Sequence, residues 1–100
     1  MISQDEILET IRKVEDPELG LSIVDLGLVY RIETKETSVE IDFTLTYPGC
    51  PLGDVIEHDI VDAIHNTFGL IDVKTTVVWF PVWGPERMTE EARVALGYPI

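Results

Sequence analysis

Between Val39 and Phe80 the apolar residues change period twice, and this succession restricts the fold more than any other feature of the chain. Val39, Ile41, Phe43 and Leu45 alternate with Glu40, Asp42, Thr44 and Thr46, as in a strand with one buried face. Leu52, Ile56, Ile60, Ala63 and Ile64 then recur at helical spacing. Val73 to Phe80, rich in Val, Thr, Trp and Phe, returns to strand composition. A strand, a helix and a strand within one sheet make a right-handed crossover, so the two strands run parallel.

The flanking segments complete the pattern. Ser3 and Glu6 form a capping box, with Ile2 and Ile7 at the staple positions around it. Ile7, Leu8, Ile11 and Val14 then predict a helix from about Gln4 to Val14. Glu15 to Gly20 ends it, because the residue before Pro17 resists helical dihedrals. Leu21 to Leu26 reads as an apolar loop carrying one acid, Asp25. Gly27 opens a strand with Leu28, Tyr30 and Ile32 on one face and Val29, Arg31 and Glu33 on the other. Thr34 to Ser38 is a polar turn, which makes this strand and the next an antiparallel hairpin. Gly69 stops the second helix, and Pro81 to Pro85 is a stiff loop. Thr89 caps a short last helix with Glu90 and Glu91 in its first turn. Its inward side is Ala92, Ala95 and Leu96, and Gly97 and Pro99 close it. The expected fold is α+β: one two-layer domain over residues 1–100, ordered α-β-β-α-β-α. A small three-stranded mixed sheet carries helices on one face, with the order of its strands left open.

Charge narrows the function. Seven basic residues against nineteen acidic ones leave a net charge of −12, which disfavours nucleic acid and anionic membrane surfaces. Metal cations and basic partner surfaces are favoured instead. The hydrophobic share of 45% is that of a globular chain, and no apolar run is long enough to span a bilayer. One cysteine rules out an internal disulfide, and the acidic first residues are unlike a signal peptide, so a cytoplasmic location is expected.

That cysteine lies in Thr46-Tyr47-Pro48-Gly49-Cys50-Pro51-Leu52-Gly53-Asp54, at the first change of period. Pro48-Gly49 is a turn pattern and Pro51 suits a first helical position, which places Cys50 as a helix cap at the end of a strand. A helix end stabilises a nearby charge by about 0.3–1 kcal/mol, less than the roughly 1.4 kcal/mol of one pKa unit. Helix geometry alone therefore does not activate a thiol strongly, whereas metal coordination deprotonates it outright. A lone cysteine is also commonly a small buried hydrophobe.

Asp16 and Asp25 read either as local backbone acceptors or as oxygen ligands brought near the Cys50 loop. His58 and His65 are two turns apart, about 10.5 Å along a helix axis, too far to share one ion. Both read as surface residues on the side opposite the apolar face. Trp79, Phe80 and Trp83 read as core or loop packing, with Trp83 also a candidate lid or partner surface. No phosphate-binding glycine loop, nucleophile elbow or C-x-x-C pair is present.

Asp16-Pro17-Glu18, Ser22-Ile23-Val24-Asp25-Leu26-Gly27-Leu28-Val29, Thr46 to Pro51 and Trp83-Gly84-Pro85, in this order, resemble the SufT/PaaD-like family of iron–sulfur cluster assembly domains. The resemblance spans nearly the whole chain. It implies a non-enzymatic factor that helps mature iron–sulfur proteins. Cys50 would be the cluster-binding residue and metal ligand, with Asp16 and Asp25 as the acidic metal positions. Its partners would be the assembly machinery and client apo-proteins. The further cysteines of a PaaD-type zinc tail are lacking here, which favours the SufT-like branch. An iron–sulfur cluster takes four cysteines and one chain offers one, so a monomer would hold iron or a cluster only transiently. A homodimer would bring two thiols together. Two other readings stay open: an acidic interaction adaptor with a structural cysteine, and a thiol-dependent redox enzyme handling peroxide or persulfide.

Overall fold

The computed structural model describes residues 2–47 and 49–97. Its elements are α1 (Gln4–Ile11), β1 (Val29–Thr34), β2 (Ser38–Phe43), α2 (Gly53–Phe68), β3 (Asp72–Val77), a short 3₁₀ turn (Pro85–Arg87) and α3 (Glu90–Leu96). The expected α-β-β-α-β-α order is present, and the sheet order is β1-β2-β3. β1 and β2 pair antiparallel, β2 and β3 parallel.

α1 starts where its capping box places it. The Ser3 hydroxyl accepts the Glu6 amide at 3.1 Å, and the Glu6 carboxylate accepts the Ser3 amide at 3.1 Å. The helix closes three residues earlier than its apolar spacing predicts. Val14 N–H donates to the Ile11 carbonyl, a tightened i→i+3 bond, yet Val14 itself is buried. Ile7 and Ile11 of α1 and Ile56, Ile60 and Ile64 of α2 are fully buried with Val39, Ile41 and Phe43 of β2. Both helices therefore cover one face of the sheet. The other face is polar, and there Arg31 bridges Glu33, Glu40 and Asp42 while Lys35 meets Glu40 at 3.0 Å.

Strict alternation fails in β1. A bulge between Val29 and Arg31 makes Tyr30 the inserted residue. Val29, paired with Phe43, and Ile32, paired with Ile41, both pack against the core. Tyr30 instead sends its hydroxyl to the Pro81 carbonyl at 2.8 Å, and the Arg87 guanidinium lies over its ring at 4.7 Å.

β3 is shorter than its composition suggests. Regular pairing stops at the Phe43–Val77 rung, with one more bond from Val78 N–H to the Phe43 carbonyl, because the partner strand β2 ends there. Trp79 and Phe80 consequently project from a loop. In α3, Thr89 caps as expected, accepting the Ala92 amide, and Gly97 closes the helix at φ +80°. Ala92 is buried and Leu96 packs on the core, but Ala95 is exposed because the single buried stripe of so short a helix excludes it. Pro48 and Pro99, expected as turn and stop residues, lie outside the described residues.

Candidate functional site

Parallel strands β2 and β3 end on the same rung, so the loops that follow them emerge side by side. In such sheets, sites gather beyond the carboxyl ends of the strands. The first loop, residues 44–52, carries Cys50; the second, residues 78–84, carries Trp79, Phe80, Val82 and Trp83.

The first loop is anchored before it turns. Thr44 is buried and its amide donates to the Leu28 carbonyl at 2.8 Å, while Leu45 enters the core. Cys50 N–H then reaches back to the Tyr47 carbonyl at 3.4 Å across Gly49, whose φ is +85°. A turn with positive φ at its third position favours glycine, which adopts that conformation without a Cβ clash.

Cys50 does not cap α2. Leu52 holds the capping position, no side chain bonds there, and the thiol turns elsewhere. Cys50 Sγ lies 3.7 Å from Glu18 Oε1, and the same oxygen accepts the Tyr47 hydroxyl at 3.1 Å. The hydrogen bond it donates to that carboxylate raises the Tyr47 phenol above its ordinary value of 10.0, with desolvation and the neighbouring negative charge adding to the effect. Cys50 is half-buried, packed against the core and with its thiol facing a carboxylate. It is neither sealed among aliphatic neighbours nor fully uncovered.

Asp16 shapes the segment that delivers Glu18. It is 2% exposed, and its Oδ1 accepts the amides of Glu18 at 2.8 Å and Leu19 at 3.2 Å. Its carbonyl accepts the Gly20 amide and its own amide donates to the Leu21 carbonyl. Asp25 is engaged with Arg12 at 2.7 Å, and its carbonyl accepts the Thr89 amide. Among the described residues, no group of three or more His, Cys, Asp or Glu side chains is close enough to hold one ion. Asp16, Asp25 and Cys50 are thus not gathered into a three-ligand cluster, and the oxygen brought to the thiol belongs to Glu18. Glu18 and Tyr47 both stand inside the motifs that carry the family resemblance, yet nothing in the sequence around either marks it as a partner of the thiol. The contact joins residues 18 and 50 across the fold, and no local pattern announces it.

The aromatic residues depart from expectation. Trp83 is half-buried, its indole N–H donating to the Leu26 carbonyl at 2.8 Å. Trp79 is 41% and Phe80 82% exposed, so neither belongs to the core. Of the histidines, His58 is on the surface beside Asp62. His65 is half-buried, its Nε2 donating to the Ile71 carbonyl at 2.9 Å, where it ties the end of α2 to the approach of β3. A wider groove of about 700 Å³ lies between the 13–17 segment and α2, and among the described residues none of the Cys50 loop lines it.

Fold and site together define a small α+β domain that presents one carboxylate-tethered thiol at the end of a parallel strand pair. The chain belongs to the iron–sulfur cluster assembly protein family, whose model matches residues 4–77. It is 37% identical to the Fe–S protein maturation auxiliary factor YitW of Bacillus subtilis, across 94% of this chain and 93% of that one. It is 39% identical to the Fe–S protein maturation auxiliary factor SufT of Staphylococcus aureus, across 84% of this chain and 97% of the relative. The crystal structure of a domain of unknown function from Bacillus anthracis superposes with a TM-score of 0.89 at 36% identity, covering 96% of this chain and 92% of that domain. Among the described residues no helix is long and apolar enough to cross a membrane.

Proposed function

We propose that this protein is an iron–sulfur cluster assembly or transfer factor of the SufT-like branch, acting in the cytoplasm through Cys50 without turning over a small substrate. The observation that carries the reading is the thiol of half-buried Cys50, 3.7 Å from Glu18, on a loop that turns through Gly49 at positive φ. The names of its relatives as maturation factors support it. Iron or a cluster is cargo here, not a resident group. One thiolate gives one of the four ligands a cluster needs, and the rest come from the donor or the recipient. Single-point attachment suits transfer, because a four-point site would hold its cargo too tightly to release it. Asp16 and Asp25 act through the loops they hold: Asp16 fixes Glu18, and Asp25 fastens the 21–27 loop to α1 and to the start of α3.

Anaerobic reconstitution with iron and sulfide compares the parent with Cys50→Ser. The serine variant is expected to take up less iron and sulfide and to mature a recipient apo-protein poorly. Equal uptake and equal maturation would reject the reading.

A further inference from the structure

The loop beyond β3 builds an apolar lip that the cargo reading leaves unused. Phe80 is 82% and Val82 70% exposed, beside the partly exposed Trp79. These side chains line a groove of about 300 Å³, walled on its other side by Thr44 to Tyr47. Two further hollows adjoin it. One shares Tyr47 and Trp83 with the groove and includes Glu18; the other shares Leu45 and Trp79 and includes Cys50 and Asp54. The lip and the thiol thus belong to one continuous surface. Exposed aromatic clusters of this kind on a soluble domain mark contact sites.

The charges around this surface indicate its occupant. Among the described residues lining the three hollows, the charged ones are Glu18 and Asp54, both acids, with no Lys, Arg or His. Much of the chain's basic charge is engaged elsewhere: Arg12 with Asp25, Arg31 and Lys35 with the sheet carboxylates, Arg87 on Tyr30. A partner that fits must supply aliphatic side chains to the lip and positive charge at both ends. A second copy of this chain does not fit, because a twofold contact would set the same carboxylates and a charge of −12 against their own kind.

We infer that the groove between Phe80, Val82 and Tyr47 docks an apolar segment of the recipient protein flanked by lysine or arginine, bringing that segment alongside Cys50. The identity of the partner as a recipient rests on the cargo reading of Cys50; the docking chemistry does not.

Both tryptophans of the chain line this surface, so intrinsic fluorescence reports its occupancy. The probe is a synthetic peptide of about ten residues with a Leu/Val centre and lysine at both ends, paired with a glutamate-flanked version of the same centre. The lysine peptide is expected to bind saturably, and the glutamate peptide about tenfold or more weakly, with the difference shrinking as salt rises. The double variant Phe80→Ser, Val82→Ser should weaken the lysine peptide by about tenfold or more with unchanged circular dichroism, as truncated interface anchors do. Equal binding of both peptides, or full binding by the double variant, would overturn the assignment. Self-association of the parent that the double variant abolishes would equally overturn it, by making a second copy the occupant. Peptide binding is read on the parent and the lip variant, and iron and sulfide uptake on Cys50→Ser. If the lysine peptide is preferred while Cys50→Ser takes up iron and sulfide normally, the cargo reading falls and the docking site stands. If peptide discrimination fails while Cys50→Ser loses uptake, only the docking site falls.

Discussion

Glu18 Oε1 receives two hydrogens, one from the Tyr47 phenol and one from the Cys50 thiol, and the 16–20 turn exists to hold it there. Tyr47 provides a direct check of this arrangement. Its pKa is raised by the carboxylate, so the hydrogen bond contributes fully below the ordinary phenol value of 10.0. That contribution is lost as pH rises through the folded-state value. Glu18→Gln should move the Tyr47 transition back down toward 10.0, read as the ultraviolet difference between parent and Tyr47→Phe titrations. Asp16→Ala removes the acceptor of two amides in a buried turn and should lower stability by about 1–3 kcal/mol in urea unfolding. It should also loosen Glu18, so Cys50 alkylation rates change in that variant. Gly49→Ala meets no neighbouring atom within 4 Å, and its cost is purely that of positive φ, about 1–2 kcal/mol. Gly27→Ala should cost more. There the same backbone penalty is joined by collision of the new methyl with the Arg87 backbone, about 1–3 kcal/mol further.

The elements follow from their sequence wherever period and caps agree. Ser3–Glu6, the β2 alternation and the Ile56–Ile60–Ile64 stripe each state a local geometry that the tertiary structure then adopts. The mismatches have tertiary causes. β3 ends early because β2 gives it no further rung, and that places Trp79 and Phe80 outside the core despite their strand-like composition. The β1 bulge turns Val29 inward, and it becomes visible only once the β2 register is known. Cys50 stands out in the sequence as the thiol of its loop, while the carboxylate that meets it does not. Glu18 arrives from a distant turn, so its approach depends on how that turn packs. On the polar face of the sheet, Lys35 and Arg31 hold the Glu40 carboxyl below its ordinary value of 4.5. The stability this adds is present above that value and is lost as pH falls through the folded-state one. Glu40→Gln should therefore flatten the acid limb of the stability–pH curve, and added salt should reduce the difference, since the network is exposed to solvent.

At the scale of the whole molecule, a charge of −12 on 100 residues sets how partners arrive. Association with a basic recipient should slow steeply with ionic strength, measurable by stopped-flow tryptophan fluorescence, while encounter with nucleic acid stays unfavourable. The parallel β2–β3 pair divides the molecule into two ends. One end carries the thiol loop and the aromatic lip, while the short Gly69–Ile71 link, with Leu70 90% exposed, joins α2 to β3 at the other. Lengthening that link leaves every rung between the strands in register. A dye, an affinity handle or even an inserted module belongs at Leu70, where it can follow the protein through a handover without standing in its way.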